Sequence, residues 1–430
     1  MSKPRNWKRW FKRLGLGLLG LVALLLLINL ILNVWANSKL EAKLQKLRDE
    51  GFPTCIADLA PEPIPDAQNA AAHLRDMKPE LKRFEKAMVV FEERTPIGKA
   101  YVQRTDKYEG VLPTTEQAAA MQAILDDFSD LFLAVDEMAV CDHYASLLDY
   151  SLDHPHFVEE IISAMSIRRV ARLLSWKMQV LTVQGENEQA TEAGLQLLRL
   201  TRLYDEEPLL VNFLVGIACR LNAAYRLNQV LRSGPVSENL RDALDVELAK
   251  HDDSQRFVKT LLTERAGSLD AMESWKIAPV PIHWHFTFLQ AELVDWFDEQ
   301  FILAALPWHQ SQKLFGKVDE SKYSDILQMM TPATQAASVS FYRNIATLRC
   351  LRILNAAGAY HDEKGRQPTT LDDLDLPAEA TLDPFNGKPL VFRTMESGWL
   401  IYSVFQNEID DGGVFKKQED WGLAPMPVVE

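Results

Sequence analysis

The chain is expected to be mainly α-helical: one apolar N-terminal transmembrane helix, a multi-helix extracytoplasmic domain of antiparallel helices, and a small C-terminal α+β module. Three observations predict this. A basic arm precedes an uncharged run from Leu14 to Trp35, the apolar period is helical over most of the remainder, and two strand-like runs near the C-terminus flank a turn.

The arm carries Lys3, Arg5, Lys8, Arg9, Lys12 and Arg13 with no acid. The run that follows, rich in leucine from Leu18 to Leu32, is long enough at ~1.5 Å per residue to span the ~30 Å hydrocarbon core of a bilayer. The positive-inside bias then predicts a cytoplasmic N-terminus, with Trp7, Trp10 and Trp35 at the two interfaces and the rest of the chain beyond a bacterial-type inner membrane. A cleaved signal peptide ending at Val34-Trp35-Ala36 is the competing reading, disfavoured because signal h-regions run only ~7 to 15 residues. No second run reaches ~18 uncharged apolar residues, so one crossing is expected.

With the arm holding +6 of a net charge of −14, the remainder is −20, which repels nucleic acid and anionic headgroups. Cys55, Cys141, Cys219 and Cys350 are far apart and lack the spacing of zinc or redox pairs. They read mainly as small buried hydrophobes, and Cys55 with Cys141 is the preferred pair if a disulfide forms.

Six segments follow: a basic arm (1–13), the transmembrane helix (14–36), a helical stem and Pro-rich linker (37–66), a helical domain (67–332), an α+β module (333–413) and a flexible tail (414–430). Asn37 and Ser38 can cap a separate stem helix that Gly51 stops, and Pro53, Pro61, Pro63 and Pro65 then predict extended chain. Asp66 to Arg94 reads as one helix or a pair kinked at Pro79, and Thr114 with Gln117 forms a capping-box pattern before one helix through Met138. From Phe157 to Leu231 three helices are expected, one ending near Gly185, one from Glu186 to Tyr204 and one opened by Pro208 in the first-turn position, with the close packing at Ala190 and Ala193 similar in architecture alone to tetratricopeptide units. Ser237 to Leu248 and Arg256 to Trp275 are further helices. In the aromatic-rich stretch from Trp284 to Ala304 a broad apolar face is expected to be buried, with Glu292, Asp295, Asp298 and Glu299 on a solvated side.

From Ala333 a helix runs to Tyr360, and Leu390–Arg393 and Trp399–Val404 predict an antiparallel hairpin. The order of Tyr360, Gly365, Pro368-Thr369-Thr370-Leu371, Asp383-Pro384-Phe385-Asn386-Gly387, the hairpin, Tyr402-Ser403 and Asp410-Asp411-Gly412-Gly413 resembles the globular region of type II secretion major pseudopilins, over about 75 residues. That resemblance implies calcium bound by Ser403, Asp410 and Asp411, with Asn407 and Glu408 supplying further hard oxygens of the kind calcium prefers. The module lies about 300 residues from the anchor, and the N-terminus lacks a prepilin processing sequence, so a filament subunit is not expected. The remainder resembles single-pass bacterial envelope proteins.

No nucleotide-binding glycine loop, nucleophile elbow or HExxH helix occurs. His154 with His156 and His283 with His285 are the close histidine pairs, which could share a metal from one face of a strand, and the carboxylate groups Asp126 with Asp130 and Glu292 with Asp295 and Glu299 read as solvated helix faces. The expected function is therefore a non-catalytic envelope protein that binds or scaffolds a protein partner. The alternatives are a metal-dependent hydrolase with a dispersed site, centred on one of the histidine pairs, and an accessory factor of a secretion or pilus-like system.

Overall fold

The computed structural model describes residues 7–107, 110–150, 157–274, 283–315, 320–415 and 419–427. Thirteen α-helices and a three-stranded antiparallel sheet are found among them.

Helix α1 (Trp7–Asp49) is one uninterrupted helix of 43 residues. Its first half has a mean hydropathy of 2.7 and is exposed on all sides, so α1 is long and apolar enough to be a membrane anchor or a signal sequence. The separate stem helix expected after Asn37 is not formed. Asn37 and Ser38 continue the helix because Ala36, Leu40 and Leu47 are buried along one stripe, and packing overrides a local capping preference. The partner is helix α11 (His283–Ala304), where Trp35 meets Phe288 edge-on at 4.9 Å and Lys43 pairs with Asp295.

After α1 the proline-rich stretch contains two 3-10 turns, Ile56–Leu59 and Asp66–Gln68. Helix α2 (Ala70–Arg94) passes through Pro79 as a single element and is capped by Asn69, whose side chain accepts a hydrogen bond from the Ala71 amide at 3.0 Å. Helix α3 (Pro96–Lys107) follows, opened by proline in the first-turn position. Thr114 and Gln117 form the expected capping box on helix α4 (Thr115–Asp126). The single helix expected through Met138 is instead broken at Phe128, with α5 (Ser129–Ala139) beyond it. The apolar stripe stays continuous across the break because both helices bury it in the same core, which is why periodicity alone hides the corner.

Helices α6 (Phe157–Gln184), α7 (Asn187–Tyr204) and α8 (Leu210–Ser233) pack on one another as the short links predict, but Pro208 does not take the first-turn position expected of it: Leu209 is the cap and α8 opens at Leu210. Helices α9 (Glu238–Lys250), α10 (Gln255–Ser274), α11, α12 (Trp308–Phe315) and α13 (Asp325–Lys364) complete the set. Helix α13 starts eight residues before Ala333 and stops at Gly365, whose φ of +67° is readily adopted only without a Cβ.

Strands β1 (Val391–Met395) and β2 (Gly398–Ser403) make the expected hairpin, with Val391 opposite Tyr402 and Met395 opposite Gly398. A third strand, β3 (Trp421–Leu423), lies in the stretch expected to be a tail. It adds to β2 through Gly422, where a Cβ would stand 2.2 Å from the Ile401 carbonyl oxygen.

Two apolar clusters fill the interior. The first joins α2 to α9, the C-terminal half of α13 and the sheet; the second joins the end of α1, α10, α11 and α12. Helices α8 and α13 serve both: Ala223 and Leu227 of α8 face the first and Phe213 and Ile217 the second, as do Leu351 and Phe341 of α13. Bidentate pairs from Arg349 to Asp252 and from Arg352 to Asp245, all within 2.7–2.9 Å, fasten α13 to α9 and the turn after it.

The aromatic face of α11 is buried as expected, with Trp296 and Phe297 each 1 % exposed. Its acidic side is not simply solvated. Asp295 pairs with Lys43, Asp298 with Arg265 at 3.3 Å and Glu299 with Lys322, and Glu292 accepts from the Ser324 amide at 3.3 Å. These acids lie between α11 and its neighbours, a placement no local pattern encodes.

Candidate functional site

The residues expected to hold calcium do not converge. Ser403 is fully buried and donates to Asp383 at 2.8 Å. Asp410 accepts from the Tyr402 hydroxyl at 2.7 Å and from Arg393 at 2.7 Å, and Asp411 accepts from Asn407 at 2.7 Å. Asp410 is thus paired with a cation of the chain itself and the Ser403 hydroxyl is committed to Asp383, so the three residues share no common centre as they stand.

The loop is organised by two other carboxylates. Asp383, 1 % exposed, also accepts from the amides of Phe385 and Val404, both at 2.9 Å; Asp420, fully buried, accepts from Gly413 at 2.8 Å and Val414 at 3.2 Å. Both are raised by burial. Asp383 was legible only as a turn residue and Asp420 not at all, because their partners lie on separate strands and loops.

His283 and His285 sit at the start of α11, where a spacing of two on a helix sends the side chains to different sides instead of one. His154 and His156 lie outside the described residues. No group of three metal-ligating side chains is found among the described residues. The four cysteines are free: the preferred pair is not bonded, since Cys55 precedes the 3-10 turn held to α10 by Asp270, and Cys141 sits at the end of α5, donating to the Glu137 carbonyl at 3.6 Å. Cys219 and Cys350 are buried as small hydrophobes.

The strongest convergence of polar groups lies at Glu207, in the turn between α7 and α8. One carboxylate oxygen accepts from the Tyr144 hydroxyl at 2.7 Å and the Ser163 hydroxyl at 3.0 Å, and the other from Ser146 at 2.8 Å. Tyr144 and Ser146 come from the loop after α5, which Asn69 pins: its side chain donates to the Ala145 carbonyl at 2.9 Å and accepts from the Ala145 amide at 3.0 Å. The same asparagine that starts α2 therefore sets the loop, while Ser163 is fixed by α6.

Glu207 is 5 % exposed, and burial raises its pKa in spite of the three hydroxyl donors. None of its partners among the described residues is a cation. Burial also pushes the Tyr144 hydroxyl up. Tyr144, Ser146 and Glu207 form a wall shared by two clefts of about 280 Å³ and 250 Å³. Leu74, Leu147 and Lys78 line the first; Arg256 and Lys259 line the second and are held by Glu206 at 2.9 and 3.1 Å. The cluster can hold a proton or accept a hydrogen bond from a group entering either cleft. Among the described residues no histidine lines them. Nothing in the sequence marks Glu207, because its donors lie 44 to 63 residues away.

Compared with family models, curated proteins and solved structures, the chain has no match in any of the three. The functional reading therefore rests on the chemistry and geometry of the chain itself.

Proposed function

We propose that this chain is a single-pass membrane-anchored binding protein, with its N-terminus in the cytoplasm and a helical body outside that holds a partner and does not transform one. The observation that carries this reading is the continuity of α1. An apolar half, exposed all round, passes without a break into a half docked on α11, so the body is joined to the anchor by a rigid rod. The basic arm before the apolar half supports the orientation.

Binding is favoured over catalysis by the Glu207 cluster. Its three hydroxyls all donate to the carboxylate, and among the described residues neither adjoining cleft has a histidine in its wall to take a proton from them. The hydrolase reading loses the arrangement it needed at His283 and His285. The secretion-accessory reading finds little support in the acidic loop, where Asp410 is paired with Arg393.

Single cysteines placed at Lys8 and Glu50, in a chain with Cys55 and Cys141 replaced by serine, test the topology. A membrane-impermeant maleimide is expected to label Glu50→Cys in intact cells and Lys8→Cys only after permeabilisation. The reverse pattern, or release of the body into the soluble fraction, would sink the proposal.

A further inference from the structure

A cavity of about 550 Å³ lies elsewhere, between α8 and the chain that forms and follows β3. Its walls include Ala218, Leu221, Tyr225, Trp421, Leu423 and Met426. In a chain with 60 acidic residues, no acid lines it among the described residues.

The charged group on its wall is Arg226. Its Nη1 donates to the Gln229 side chain at 3.0 Å, but its Nε is buried with no hydrogen-bond partner, and no carboxylate pairs with it among the described residues. Gln229 is itself committed to the Gly110 carbonyl at 2.8 Å, and Asn228 to the Ala424 carbonyl at 3.2 Å and to Arg232 at 2.7 Å. Two further cations border the same region. Arg232 donates to the Trp399 carbonyl at 2.7 Å, and Arg343 stacks on Trp421 at 4.5 Å from the ring centre. Neither has a carboxylate partner among the described residues.

A guanidinium taken out of water without a counter-charge costs several kcal/mol, and such a group is ordinarily paired. Burial lowers the pKa of Arg226 and brings that of Arg232 to about 10, as expected for charges with no carboxylate beside them among the described residues. The missing element is an anion. The apolar walls ask for a hydrocarbon body attached to it, and the volume falls within the ~300–1,000 Å³ of small-molecule sites.

We propose that this cavity binds a single-chain amphiphile with an anionic head, its carboxylate seated against the Arg226 guanidinium on the cavity wall and its chain lying along Leu221, Tyr225 and Trp421. The inference does not depend on the orientation of the anchor or on the Glu207 clefts.

The test uses the full chain in nanodiscs of zwitterionic lipid, with a dansylated undecanoic acid as fluorescent probe and its methyl ester as the neutral counterpart. Saturable binding of the acid is expected, with the ester at least about tenfold weaker, the difference a hydrogen bond to a charged group supplies. Arg226→Gln should weaken the acid by about tenfold or more and leave the ester unchanged. Because it removes an unpaired buried charge, it should also keep or raise the thermal midpoint. Ala218→Trp, which fills the cavity, should block both ligands. Equal affinity for acid and ester in the unaltered chain, unchanged binding in a folded Arg226→Gln, or absence of saturable binding would each overturn the proposal; the acid–ester comparison decides it even where a variant fails to fold.

Discussion

Glu207 ties the stability of the protein to pH. Burial raises its pKa, so the folded state holds the proton more tightly than the unfolded chain. An acid of this kind contributes fully below its unfolded value of about 4.3, and the contribution is lost as pH climbs through the raised folded value. Glu207→Gln keeps an acceptor but cannot titrate. Thermal unfolding of the two proteins from pH 4 to pH 8 is expected to show the variant less stable by about 1–3 kcal/mol at the acid end, from the disturbed hydroxyl network. The gap should narrow as pH rises. Every other titrating group is common to both proteins, so a gap that does not change with pH would show that Glu207 keeps an ordinary pKa.

Between elements, the packing of α1 on α11 separates apolar burial from ion pairing. Leu47 is 3 % exposed and belongs to the second core, whereas the Lys43–Asp295 pair keeps contact with solvent. Leu47→Ala should cost about 2–5 kcal/mol, the range for a buried leucine. Lys43→Ala should cost under about 1 kcal/mol, because an exposed pair gains little over hydration. The two thermal midpoints check this ordering. A larger loss for Lys43→Ala would mean that charge, not burial, holds the rod to the body.

For the whole molecule, the sharing of α8 and α13 between the cores makes their unfolding interdependent. Neither cluster can lose its walls without uncovering the other. Leu198→Ala in the first core and Phe297→Ala in the second should therefore each shift a single transition, coincident by circular dichroism and by tryptophan fluorescence. Trp176 reports the first core, and Trp296 and Trp308 the second. Two transitions moved separately by the two variants would contradict this coupling.

The features legible in the sequence are those whose physics is confined to a few neighbouring residues. The capping box at Thr114 and Gln117, the break at Gly185 and the hairpin from Val391 to Ser403 all depend on backbone sterics and hydrogen bonds within a turn or a pair of strands. The apolar run from Leu14 to Trp35 determined the character of α1 in the same way, by composition over a known length. The corner at Phe128, the continuity of α1 past Asn37 and the third strand at Trp421 were not legible, because each is set by which distant surface the segment buries against. The polar sites were the least legible. Glu207 gathers hydroxyls from two other segments, Asp383 takes the hydroxyl expected for a metal, and Arg226 stands out only because no carboxylate among the described residues pairs with it. Sequence alone thus determined that this is a helical chain with one long apolar helix. Tertiary structure decided where its charges are buried and whether they are paired, because the energy of a buried charge depends on groups brought to it across space and not along the chain.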